Sequence, residues 1–234
     1  MGTSSDYSGS TGGPWTRFKR AATDFAKYGG EERARRVMAR HVATLGGARR
    51  ASESAKAGIS TAQRLGEALT RLGTLGLDAT LQSYNLDYLI GKDRFDVLQA
   101  LIEIIAPPGT DLESEAARNA ALDVIEEVFG EGNSYEDLSS TQFDHDGLVN
   151  ALELFIAAYV YNRAIPLIEK RLSELSAGEA DNRDKALHIF IKQLVRLRLK
   201  DMDPLQIDWK GTEGHSIIQR LIRGLYSQLE SWDE

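Results

Sequence analysis

At 234 residues the chain is long enough for one or two domains with a sizeable core, and its 42% hydrophobic and 27% charged content is that of an ordinary globular protein. It has no cysteine, which excludes disulfides, thiolate metal sites and cysteine nucleophiles together. The net charge of −7 is unevenly spread. Residues 1–50 carry ten Lys/Arg against four Asp/Glu, a net of +6, and residues 51–234 carry 18 against 31, a net of −13. An acidic body opposes general nucleic-acid binding, but it leaves room for a local basic surface or for a basic segment folded back onto the body.

Residues 1–14, "MGTSSDYSGSTGGP", are rich in Gly, Ser and Thr and cannot bury an apolar face, so they read as a disordered tail. Met1 is followed by small polar residues, not by the basic and then apolar run of a signal peptide. "WTRFKRAATDFAKYGG" spaces Trp15, Phe18, Ala22 and Phe25 at helical intervals and closes on a Gly pair. "EERARRVMARHVATLGG" predicts a second helix, with Glu31 and Glu32 at its start, where the helix dipole favours negative charge. Residues 15–50 therefore form a basic helical segment. "ARRASESAKAGIST" is small and polar and reads as a long loop or a loosely packed helix start; a third helix is expected around "AQRLGEALTRLG".

Residues 51–234 form an acidic, all-α body. "KDRFDVLQALIEIIAPPG" places Phe95, Leu98, Leu101, Ile102 and Ile105 on one face, with Asp93 as N-cap and Pro107-Pro108 as the stop. Thr110 and Glu113 fit a capping box ahead of a helix presenting Ala117, Ala121, Val124, Ile125 and Val128. Thr141 or Asp144 begins the longest helix, through Leu152, Phe155, Ile156, Tyr159 and Val160, with a kink expected at Pro166. Its stretch "LVNALELFIAAYVYNRAIPLI" includes Glu153 and Arg163 and falls short of a membrane span. Two more helices follow, one with Leu187, Phe190, Ile191 and Leu194, the last with Ile218, Leu221, Ile222, Leu225, Tyr226 and Leu229. Only "LQIDW" looks strand-like. In "DWKGTEG", Gly211 and Gly214 are expected to make the turn before the last helix, with Trp209 packed on the body. The fold expected is a multi-helix, bundle-like domain behind a flexible tail.

Motifs for catalysis are sparse. "QFDHDGLVNALE" sets Asp144, Asp146 and Glu153 at calcium-loop positions around Gly147, but Gln142 stands where the first aspartate belongs, so the acidic residues read as helix caps. The four histidines are scattered, and His188, within an apolar helical run, reads as a partly buried structural residue. GxSxG, the Walker loop and GxGxxG after a strand are all missing from the sequence. No catalytic, metal or cofactor-binding residues are assigned, and the chain reads as a non-enzyme. The arginines of residues 31–50 (Arg33, Arg35, Arg36, Arg40, Arg49 and Arg50) offer phosphate neutralisation, and a nucleic-acid-binding adaptor using this segment is the alternative function.

The tail has chemistry of its own. Gly2 is small enough for Met1 to be removed, leaving a free amine whose pKa near ~8 gives a neutral, nucleophilic fraction at physiological pH. Myristoylation wants Ser or Thr at position 6, where this chain has Asp6. A disordered leader without further role is the plain alternative.

The "MGTSS" start, "GGARRASESAKAG", "LIGKDRFDVLQALIEIIAPPGTDLESEAARNAALDVIEE", "YVYNRAIPLIEKRL" and "DWKGTEGHSIIQRLI", in this order, resemble the B component of the Qat anti-phage defence system, the QatB family. The resemblance spans nearly the whole chain. It implies work beside an ATPase-like component, a QueC-like protein and a TatD-like nuclease. QueC-type enzymes use ATP to activate a carboxylated deazaguanine and pass it to an amine. By this resemblance Gly2 is the acceptor, and Gly2, Thr3, Ser4 and Ser5 thread into the QueC-like partner. The expected setting is a cytoplasmic protein complex without a membrane anchor.

Overall fold

A computed structural model describes residues 12–130, 132–141, 143–195 and 204–232. The described residues form eleven α-helices and two short 3-10 turns, with no strand among them. The helices are α1 (Pro14–Tyr28), α2 (Glu31–Thr44), α3 (Ala48–Glu53), α4 (Lys56–Leu75), α5 (Leu77–Ser83), α6 (Arg94–Ile105), α7 (Leu112–Phe129), α8 (Tyr135–Ser140), α9 (His145–Leu172), α10 (Ala177–Val195) and α11 (Thr212–Glu230).

The core is built around α9. Every residue from 151 to 161 is buried, because this stretch is apolar on all sides and neighbours cover the whole circumference. Helices α7, α10, α4 and α1 pack on it. The small face of α7 (Ala116, Ala117, Ala120, Ala121) lets the two backbones approach closely. By length and composition α9 would pass as a membrane span, but 78% of its most apolar window is buried inside the protein. Helix α11 lies across α2, α3 and α4. Phe18, Phe25, Val37, Met38 and Val42 of the basic segment belong to the same buried cluster as the acidic body. The glycine pairs that close α1 and α2 take left-handed backbone: Gly29 and Gly30 at φ 59° and 90°, Gly46 and Gly47 at 85° and 91°.

Four local expectations are corrected. "ARRASESAKAGIST", read as a long loop or a loosely packed helix start, is the short helix α3 followed by the first turns of α4, and it is well packed: Ala48, Ala51, Ser52 and Ala55 are buried, since their small side chains let α11 sit close. Phe95 is 70% exposed, and α6 instead buries Val97, Leu101, Ile102 and Ile105. The cap of α7 is Asp111, which accepts from the amides of Glu113 (3.0 Å) and Ser114 (2.9 Å), so Thr110 and Glu113 form no capping box. "LQIDW" runs from a 3-10 turn at Pro204–Gln206 into a tight turn, in which the buried Trp209 donates its indole N–H to the Pro204 carbonyl at 3.0 Å.

Candidate functional site

Gly2, Thr3, Ser4 and Ser5 lie outside the described residues, so the nearest structure is the point where the tail joins the body. Helix α1 opens with Pro14 at its first position, where the missing N–H costs nothing, and the Thr16 amide donates to the Gly13 carbonyl at 2.9 Å. Gly13, Pro14 and Trp15 are all exposed, Trp15 at 49%. The chain thus meets the folded body on its surface. Trp15 touches Phe18 edge-on at 6.0 Å between centroids, and Phe18 is buried, so the first turn is pinned from beneath.

A half-buried polar knot joins α3, α4, α7, α9 and α11. Arg163 on α9 donates to the Ala51 carbonyl (3.1 Å), the Tyr226 hydroxyl (3.0 Å) and Ser54 Oγ (3.0 Å). One turn earlier, Tyr159 donates its hydroxyl to Glu113 at 2.5 Å. The Glu113 carboxylate also accepts from the backbone amides of Ala57 (2.9 Å) and Gly58 (3.0 Å), so it caps α4 from a different helix. Burial drives the Tyr159 and Tyr226 hydroxyls far above the ordinary phenol range. Burial also works against the Arg163 charge, but Tyr226, Tyr159 and Glu113 raise its pKa on balance. His41, 1% exposed, is pushed down to about 3 by burial, with Arg163 contributing, and so is neutral. A fixed cation, two protonated phenols and a neutral imidazole give no acid or base poised near neutral pH. The knot locks helices together.

Half of the arginines of residues 31–50 are ion-paired within their own helix. Arg35 pairs with Glu31, Arg36 with Glu32 at 3.2 Å and Arg49 with Glu53 at 2.8 Å, each four residues apart on one helix. Arg33 donates to the Gly29 carbonyl and covers the Tyr28 ring at 5.1 Å, and Arg35 covers Trp232 at 5.1 Å. Arg40 is half-buried. These contacts weigh against the segment as a phosphate-binding surface. The pairs were readable from spacing alone.

The calcium-like stretch is a helix start. Asp144 accepts from the Gly147 amide at 2.8 Å as N-cap of α9, and residues 145–153 are already helical, so Asp144, Asp146 and Glu153 are not wrapped around a loop. Gln142 lies outside the described residues. Among the described residues no group of three or more His, Asp or Glu is placed to hold a metal ion. His188 is half-buried and stacks on Tyr161 at 4.9 Å, a structural contact.

Two surface hollows flank α9. One, of about 460 Å³, is lined by Phe143, Asn150, Glu153, Glu127 and Lys192 among others. Another, of about 480 Å³, is strongly acidic, with Glu115, Glu169 and Asp184 around Tyr161 and Asn162. Both combine residues far apart in the chain and have no signature in the sequence. Large apolar side chains also stand exposed: Tyr28 at 54%, Tyr88 at 63%, Phe95 at 70% and Leu112 at 70%.

The family model of the Qat anti-phage system associated protein QatB matches residues 46–229. This chain belongs to the QatB family. Membership gives it a role in the Qat anti-phage system, with partners inside that system, and the family description is of an associated protein. The match begins at Gly46, so the tail, α1 and α2 precede the part of the QatB pattern that is recognised. Comparison with curated proteins and with solved structures returned no match.

Proposed function

We propose that this QatB-family chain is a non-catalytic component that docks the QueC-like protein of its system and presents Gly2 to it. The neutral α-amine of Gly2 attacks the deazaguanine carboxyl carbon that the partner has activated with ATP; the C–N amide bond forms as the C–O bond to the ATP-derived phosphate leaving group breaks, that group departs and the amine nitrogen gives up a proton. Thr3, Ser4 and Ser5 thread the amine into the partner, and the ATPase-like and TatD-like components complete a cytoplasmic assembly. The observation that carries this reading is the exposure of Gly13, Pro14 and Trp15, which brings the tail's root to the surface of the body. Tyr28, exposed at the far end of α1, is an apolar contact for a partner that covers this helix.

Gly2→Pro tests the acceptor role, since a ring secondary amine cannot take the pose of a glycine amine. The variant is expected to lose conjugation and phage protection while keeping its fold. Co-purification with the QueC-like protein in high salt and with nuclease present tests the docking. Protection undiminished by Gly2→Pro contradicts the proposal.

A further inference from the structure

The cations of this chain divide into two groups. Arg35, Arg36 and Arg49 of α2 and α3 are paired with carboxylates of their own helix, but Arg17, Lys19 and Arg20 on α1 are exposed and form no ion pair among the described residues. Two of them converge with a third cation from far along the chain. A hollow of about 400 Å³ between α1 and the last turn of α9 is lined by Thr16, Lys19, Arg20, Thr23, Asp24 and Arg171. Arg171 is ion-paired with Glu174 at 3.0 Å. Three cations meet one lining carboxylate, Asp24, and the Glu174 partner of Arg171, so the hollow keeps a net of about +1, carried by the unpaired Lys19 and Arg20, on an otherwise acidic protein.

The donor set suits phosphate. A guanidinium offers paired N–H donors to phosphate oxygens, and an ammonium adds a compact charge. The Thr16 hydroxyl can donate as well, whereas Thr23 already donates to the Lys19 carbonyl at 2.9 Å. Trp15 stands four residues before Lys19, on the same stripe of α1, with about half its surface open to solvent. An exposed indole beside a basic hollow supplies what a base-bearing phosphate needs, a stacking face next to charge neutralisation.

We propose that this hollow binds the phosphates of a nucleobase-carrying ligand, with Lys19, Arg20 and Arg171 on the phosphates and Trp15 stacked on the base. The ligand is a nucleoside polyphosphate or a single nucleic-acid strand. The site is independent of the reading of Gly2, because it requires neither the tail nor the partner protein.

The test uses the full chain with four probes: ATP, inorganic tripolyphosphate, a fluorescent single-stranded oligothymidine and poly-glutamate. Intrinsic tryptophan fluorescence and probe anisotropy are the readouts. Lys19→Glu with Arg20→Glu is expected to weaken phosphate-probe binding tenfold or more, and Arg171→Glu to weaken it comparably. Arg36→Glu, the same charge change on α2, is expected to leave it within about twofold. Trp15→Ala should weaken ATP but not inorganic tripolyphosphate. Tighter binding of the strand than of ATP, with a slope of log K against log salt near about −2 for three neutralised phosphates, assigns a nucleic-acid strand. Tighter binding of ATP assigns a nucleotide. Saturable binding of neither phosphate probe, binding untouched by the α1 and Arg171 reversals, or binding of poly-glutamate alone overturns the proposal. Circular dichroism of each variant checks that the helices remain folded.

Discussion

Replacing Glu113 by alanine separates the structural account from the local sequence pattern. As the last member of a capping box, Glu113 would contribute about 1 kcal/mol, comparable to its partner Thr110. In the folded protein its carboxylate instead accepts from Ala57 N, Gly58 N and the Tyr159 hydroxyl. Tyr159 is 0% exposed, so its hydroxyl loses its partner without access to water. The Gly58 amide is buried too, while half-buried Ala57 can turn to solvent. Two orphaned buried donors at about 1–3 kcal/mol each, plus a lost charge-assisted cap, give a destabilisation of about 3–5 kcal/mol. For a chain of this size, at about 2 °C per kcal/mol, that is roughly 6–10 °C in Tm. Thermal and urea unfolding followed by circular dichroism measure it. Thr110→Ala, at an exposed position, should stay within about 0.5 kcal/mol. A double-mutant cycle of Glu113→Ala with Tyr159→Phe should show coupling above about 1 kcal/mol. Equal small effects at Glu113 and Thr110, or no coupling to Tyr159, refute the cross-helix cap.

Asp144→Ala should cost about 1 kcal/mol by urea unfolding, the loss of an N-cap, and calcium should leave the Tm of the parent chain unchanged. Gly58→Ala should destabilise severely or prevent folding, because a Cβ there meets the Tyr159 ring at 2.3 Å; Gly178→Ala, in the first turn of α10 with nothing within 4 Å, should be neutral or stabilising by about 0.5 kcal/mol. His41 gives a pH dependence. Its folded pKa of about 3 lies below the unfolded value near 6.5, so its contribution is fully present above about pH 6.5 and is lost as pH falls toward 3. Between pH 7 and 5.5 this group alone should remove about 1.2 kcal/mol, and His41→Leu should flatten the stability profile by that amount in urea titrations.

The long helices were legible because their apolar residues recur at helical spacing and their ends carry Asp93, Asp144, Pro107 and paired glycines. The all-α class and the family follow from the same stretches. Short elements were not legible. Helices α5 (Leu77–Ser83) and α8 (Tyr135–Ser140) span barely two turns and give no period to read. Segment 48–55 misled because small residues look like loop until α11 is seen to need them. Phe95 misled because a large apolar residue in a first helical turn need not face inward. Glu113 and Arg163 act through partners at sequence distances that no spacing rule reaches. The i,i+4 pairs of α2 were present in the sequence and, properly weighed, point away from that helix as a basic surface.

The central claim is that Gly2 of this QatB-family scaffold is an acceptor amine for the QueC-like partner. Intact mass of the N-terminal peptide, taken from cells making both proteins and from cells lacking the partner, tests it most directly. The account predicts a peptide that has lost Met1 and carries a deazaguanine acyl group on Gly2 only when the partner is present. An unmodified glycine terminus under both conditions contradicts it.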